Sequence, residues 1–240
     1  MKRRAFSLSL AGAAAATGAG TTWAQANNAG FQEGAEYIAL DKRVSTDAPA
    51  GKIEVLEFFW YNCPHCNAFE PALEAWIKRL PSDVVLKRVP VAFRDDFEPQ
   101  QRLFYALEAM GKLPELHGKV FYAIHAEKQS LNTFEAISAW AQKQGLDKAK
   151  FEAAYQSFGA ASRSKKAKLL QDQYKVQGVP ALGIAGRYYT SGALTQTMDK
   201  ALQVADFLIA NVRKEMATTP AANPSSKPSD NKAKEAKPKA

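Results

Sequence analysis

The stretch Ile53–Leu80, IEVLEFFWYNCPHCNAFEPALEAWIKRL, decides the fold because its hydrophobic period changes in the middle. Residues Ile53 to Phe59 are apolar and β-prone, as a buried strand should be. From Asn67 to Leu80, the residues Phe69, Leu73, Trp76, Ile77 and Leu80 recur at helical spacing, and Pro64 suits a first helical turn. Between strand and helix stand Cys63-Pro64-His65-Cys66, holding the chain's only two cysteines. Two cysteines three apart at a helix start share a face and can close a small disulfide ring. A bridge that served stability would do better closing a long loop. The placement points to redox chemistry.

Working outward, Pro81-Ser82-Asp83 breaks the helix and Val84–Val91 (VVLKRVPV) reads as a second strand, with Pro90 near its end, where a missing N–H is tolerable. Upstream, Glu36–Leu40 is a short strand and Ala48–Gly51 a turn. From about Glu98 to Val176 the signals are helical. Leu103, Leu107 and Met110 form one stripe closed by Gly111, and Leu116, Val120 and Ile124 another. Asn132 with Glu135 signals a start before Phe134, Ile137 and Trp140, and Gly145 a stop. Asp147 opens a helix with Phe151, Tyr155 and Phe158 inside and Gly159 after, and Leu170 and Tyr174 belong to a fifth. Strand character returns at Ala181–Ala185 and Tyr188–Thr190 around a Gly186-Arg187 turn, and a last helix runs from about Thr195 to Glu215. This order predicts an α/β fold, a thioredoxin-like sheet with an inserted all-helical domain. The boundaries are 27–94 and 177–216 for the sheet domain and 95–176 for the insertion.

The formal charge of +8 invites a nucleic-acid reading, but its distribution argues against one. Lys2, Arg3 and Arg4 supply three charges, and residues 217–240, with five lysines against Asp230 and Glu235, supply three more. That leaves +2 for residues 27–216, an ordinary surface. The basic start, the Ala- and Gly-rich run to Gly20 and the Ala24-Gln25-Ala26 site read as a signal peptide over residues 1–26, cleaved near Ala26. Arg3-Arg4-Ala5-Phe6 also resembles a twin-arginine signal, so either export route is open. Both lead to a bacterial periplasm, where disulfides persist. Residues 217–240 are rich in Lys, Pro and Ala and lack a large apolar residue beyond Met216, so a disordered tail is expected, a spacer or a contact for an anionic surface.

At the start of a helix, unpaired N–H groups and the positive dipole end favour a thiolate at Cys63. His65 adds a positive or hydrogen-bonding neighbour, and both effects lower a thiol pKa. A stabilised thiolate leaves readily, so the Cys63–Cys66 disulfide should be easily given away. Cys66, facing Phe69 and Leu73, should be the buried partner that re-forms the bond. A c-type haem site would need His at position 67, which is Asn67. Zinc would need four ligands, or three plus water, and of the three histidines His65, His117 and His125 the last two fall in the helical block. The expectation is therefore no metal and no cofactor. His117 and His125 read as structural or exposed.

The run Val55-Leu56-Glu57-Phe58-Phe59 leading into Cys63-Pro64-His65-Cys66 and Phe69-Glu70, together with Gly178-Val179-Pro180-Ala181, resembles the DsbA family of bacterial thiol–disulfide oxidases. The likeness in element order spans most of residues 30–214, and the Pro-His dipeptide is typical of that family where thioredoxins carry Gly-Pro. The resemblance implies that Cys63 forms the mixed disulfide with substrate and that Cys66 resolves it. It implies that Pro64 and His65 tune the thiolate. It also implies that Val179 and Pro180 form a cis-proline loop that binds an extended substrate. Glu57 corresponds to a buried acid beneath the active site, which, unpaired, would carry a raised pKa and relay protons at the buried cysteine, with Glu70 in the same network. Asn62 departs from the aromatic often found before the first cysteine. The implied protein is a monomeric periplasmic oxidase of newly exported proteins, reoxidised by a DsbB-type membrane partner. A disulfide isomerase or reductase on the same fold, or a peptide-binding chaperone with an idle disulfide, are the alternatives.

Overall fold

The structure, a computed structural model, describes residues 30–218. The expected signal peptide (1–26) and nearly all of the expected tail lie outside the described residues. Strands β1 (Ile38–Ala39), β2 (Ile53–Phe59) and β3 (Val84–Pro90) precede a helical region, and β4 (Ala181–Ile184) and β5 (Tyr188–Ser191) follow it. They form one sheet in the order β1-β5-β4-β2-β3. Strands β2 and β3 are parallel, with Glu57 opposite Arg88 and Phe59 opposite Pro90, whereas β4 runs antiparallel to both β2 and β5. Parallel neighbours need a crossover, and helix α1 (Pro64–Lys78) supplies it.

All seven β2 residues are buried, because each side of this strand meets a core. Val55 faces α1 and the C-terminal helix α8 (Met198–Thr218), within a cluster that holds Leu73, Trp76, Leu182, Leu208 and Ile209. Leu56 and Phe58 face the helical region: α2 (Glu98–Ala109), α3 (Leu113–His125), α4 (Phe134–Lys143), α5 (Lys148–Gln156) and α6 (Phe158–Gln173). The cores of sheet and helical region merge in a cluster containing Phe58, Leu103, Phe121, Trp140 and Tyr174. Alternation places Glu57 on the α1 side with Val55, directly under the crossover helix.

Three local expectations fail for identifiable reasons. Phe158, expected inside, is 87% exposed. The Ser157 hydroxyl accepts the Ala160 N–H at 3.0 Å and starts α6 there, so the chain turns and Gly159 lies within the new helix. The cap of α4 is Thr133, whose Oγ1 accepts from the Ala136 N–H, while Asn132 is engaged elsewhere. The last helix is split: a short α7 (Gly192–Thr195) ends at Gln196 in a left-handed conformation (φ +69°), and α8 continues to Thr218. On β4, Gly183 leaves room for the Tyr174 ring, since a Cβ there would lie 2.4 Å from it. The Tyr174 hydroxyl accepts the Gly186 N–H at 3.0 Å.

Candidate active site

Cys63 is the N-cap of α1, in extended conformation (φ −76°, ψ 117°). Pro64 carries no N–H, so the donors aimed at the cap sulfur come from the next two residues. The Cys66 N–H meets Cys63 Sγ at 3.4 Å. Both cysteines are free thiols here, Cys63 with 7% exposure and Cys66 with none. The sulfur that a partner can reach is therefore that of Cys63.

The two thiols are driven apart. Cys63 is lowered to about 6, chiefly by the hydrogen bond from the Cys66 thiol, against the opposing effect of burial. The backbone N–H groups of Cys66 and His65 add to this, and the charge effect of His65 comes last. His65 is exposed and acts more through its main chain than through its ring, a different ranking from the sequence reading. Cys66 moves the other way: burial pushes its thiol far up, and Cys63 and Glu57 add to the rise.

Across the sulfur lies the loop before β4. The Val179–Pro180 peptide is cis, and the Val179 carbonyl accepts from Cys63 Sγ at 3.4 Å. A groove of about 880 Å³ runs past it, lined by His65, Phe69, Gly178, Val179, Pro180 and Met198. Asn62 does not shape this groove as an isolated polar residue. Its amide donates to Asn132 Oδ1 at 2.8 Å and accepts from the buried Gln100 Nε2 at 2.7 Å, fastening the loop before Cys63 to the helical region.

Beneath the cysteines, Glu57 is fully buried but not unpaired: Arg88 Nε donates to its Oε2 at 2.8 Å. Its pKa is nevertheless raised, because burial outweighs the guanidinium and Glu70 adds repulsion. Glu70 is no surface charge. Only 14% of its side chain is exposed, it contacts Arg88 Nη2 at 3.2 Å, and burial raises it as well. Glu74 takes Arg88 Nη2 at 2.8 Å, so one guanidinium serves three carboxylates. His117, read from sequence as structural or exposed, is buried with Nε2 at 3.5 Å from Glu70 Oε1 and Nδ1 at 2.8 Å from the Tyr61 hydroxyl. His125 Nε2 donates to the Tyr61 carbonyl at 2.8 Å.

Arg88, Glu74, Tyr61 and His117 were missed as site residues. A signal existed for the first two. Glu70 and Glu74 are one helical turn apart, and Lys87-Arg88 puts charge into an otherwise apolar strand, although only the folded register sets Arg88 opposite Glu57. For Tyr61 and His117, 56 residues apart, the sequence carries none. Among the described residues, no three His, Cys, Asp or Glu side chains are grouped to hold a metal ion.

The chain resembles known proteins over most of its length. Residues 54–203 match the family model described as a DSBA-like thioredoxin domain. The thiol:disulfide interchange protein DsbA of Bordetella pertussis is 45% identical over 203 residues, 84% of this chain and 95% of that protein. Its counterpart from Burkholderia cepacia is 44% identical over 191 residues, 79% and 90% of the two chains. The crystal structure of Pseudomonas aeruginosa DsbA superposes with a TM-score of 0.74 at 38% identity, covering 78% of this chain and 97% of that one.

Proposed function

We propose, for a chain that belongs to the DsbA family of thiol:disulfide interchange proteins, that the Cys63–Cys66 pair works as a disulfide donor to newly exported proteins in the bacterial periplasm. The observation that carries this direction is the asymmetry of the two thiols: a stabilised Cys63 thiolate favours the reduced protein and makes its disulfide oxidising.

A substrate thiolate attacks Cys63 Sγ, the Cys63–Cys66 bond breaks, and Cys66 leaves with the electron pair. Glu57, protonated because of its burial, gives Cys66 its proton, and Arg88 then holds the carboxylate. A second substrate thiolate attacks the substrate sulfur of the mixed disulfide and expels Cys63 as a thiolate. Two substrate thiols are thereby oxidised by two electrons, and the protein is left as a dithiol. The substrate lies extended along the Val179–Pro180 loop, its backbone pairing with the main chain there and its side chains entering the groove. Reoxidation falls to a DsbB-type membrane partner, and the protein acts as a monomer after cleavage near Ala26. Pro64 and His65 contribute by leaving Cys63 facing main-chain donors.

The test is oxidative refolding of a reduced, unfolded protein with several disulfides, supplied with stoichiometric oxidised protein. Donation predicts rapid loss of substrate thiols matched by gain of Cys63 and Cys66 thiols, and none with Cys63→Ser. A redox equilibrium close to that of thioredoxin, about −270 mV, would instead make the protein a reductase.

A further inference from the structure

One buried titratable side chain has no part in the scheme above. His117 is enclosed by the rings of Phe59, Tyr61 and Phe121, with centroids at 5.3 Å each. The titratable and charged groups facing it are Tyr61 from the loop before α1, Glu70 and Glu74 from α1, Glu57 from β2 and Arg88 from β3. Its tautomer follows from its partners. The buried Tyr61 hydroxyl has His117 Nδ1 as its hydrogen-bond partner, so the O–H donates to Nδ1. The ring proton is then on Nε2, which makes no hydrogen bond and lies 3.5 Å from Glu70 Oε1. Burial and Arg88 lower the imidazole to about 3, so it stays neutral.

The buried Glu57 and Glu70 share the single guanidinium of Arg88 with Glu74, and burial raises both, so the pair retains a proton near neutral pH. Which carboxylate carries it matters, because Glu57 is the one whose charge bears on the Cys66 thiol. Glu70 has Arg88 Nη2 as a donor and the unpartnered His117 Nε2 3.5 Å from its Oε1, whereas Glu57 Oε1 has no donor. We propose that His117 is a positioning residue: its Nε2–H, locked by Tyr61, holds Glu70 as the carboxylate and so keeps the shared proton on Glu57, where the leaving Cys66 can take it. The proposal rests on the reading of Glu57 as proton donor. It assigns Tyr61, two residues before the nucleophile, the task of fixing the tautomer.

Asparagine and glutamine separate the two ring nitrogens, since Asn places a polar group near Nδ1 and Gln places one near Nε2. The rate of disulfide opening by a small thiol, divided by the thiolate fraction, should fall as pH rises and the donor loses its proton. In His117→Asn this fall should move to lower pH by about half a unit, the effect of losing one N–H dipole beside a charged group. His117→Gln should track the wild type, and Tyr61→Phe, which frees the tautomer without touching Glu70, should shift in the same direction as His117→Asn. Glu57→Gln should abolish the fall. An unshifted His117→Asn, or equal shifts in the Asn and Gln variants, beside a flat Glu57→Gln profile, overturns the role of His117 alone. A Glu57→Gln profile that keeps the wild-type fall overturns the donor reading, and this proposal with it.

Discussion

The lowered Cys63 thiol makes the redox equilibrium strongly pH-dependent, and the size of the effect follows from its position. Reduction of a disulfide to two thiols takes up two protons, as does reduction of oxidised glutathione, so exchange between two ordinary pairs is nearly insensitive to pH below the thiol range. Here Cys63 is lowered from 9.0 to about 6, while burial keeps the proton on Cys66. Above about pH 6 the reduced protein therefore binds one proton fewer, and its formation from glutathione gains close to tenfold per pH unit. Between about pH 5 and pH 8 the constant should rise by roughly 90-fold, about 2.7 kcal/mol, or close to 58 mV for two electrons. The same linkage applies to folding. The depressed thiol stabilises the reduced fold fully only above the unfolded value of 9.0, and that contribution is lost as pH falls through about 6. The oxidised fold, which has no thiol to titrate, lacks it. The assay is equilibration with glutathione buffers at several pH values, acid quenching and alkylation of free thiols. A constant that changes by less than about threefold over that range would mean that Cys63 titrates as an ordinary thiol, and would refute the argument from the Cys66 thiol and the backbone donors.

Four further substitutions probe the buried charges and the backbone. Glu57 is raised, so the folded protein keeps a proton that the unfolded chain has lost, and wild-type stability falls as pH climbs above the ordinary carboxylate range; Glu57→Gln removes that loss, so urea unfolding should show it gaining on wild type from about pH 5 to pH 8. Arg88→Met strands the buried Glu57 and Glu70 and should cost about 3–5 kcal/mol at pH 8 and less at pH 5, where these two take up protons; an equal cost at both would argue that Arg88 acts by packing alone. Gly186→Ala should destabilise by at least about 2 kcal/mol, since Gly186 has φ +67° and its new Cβ would stand 2.0 Å from the Val44 carbonyl oxygen. Gly118→Ala, in the middle of α3 with nothing near the added methyl, should instead stabilise by about 0.5–1 kcal/mol in the same assay.

The order of elements, the crossover at Ile53–Leu80 and the cysteine pair at a helix start could be read from sequence because each is a local pattern: a period of two, a period of 3.6, a capping position. Glu57 and Glu70 were named by resemblance, but what surrounds them was not legible. The sequence reading named no partner for Glu57, because that partner stands 31 residues away on another strand and only the β2–β3 register brings Arg88 opposite. Local pattern also misplaced Phe158, since a serine able to cap a helix and an aromatic able to fill a core give no sign of which will prevail until the neighbouring helices are packed. By itself, the sequence determined that this chain builds a sheet with a reactive Cys63 at the head of α1. Tertiary structure alone decided that three carboxylates would share one guanidinium, with His117 and Tyr61 closing the chain of contacts. Periodicity fixes which face a side chain presents, but the electrostatics of a buried charge depend on every group within a few ångströms, and those groups come from four separate segments of the chain.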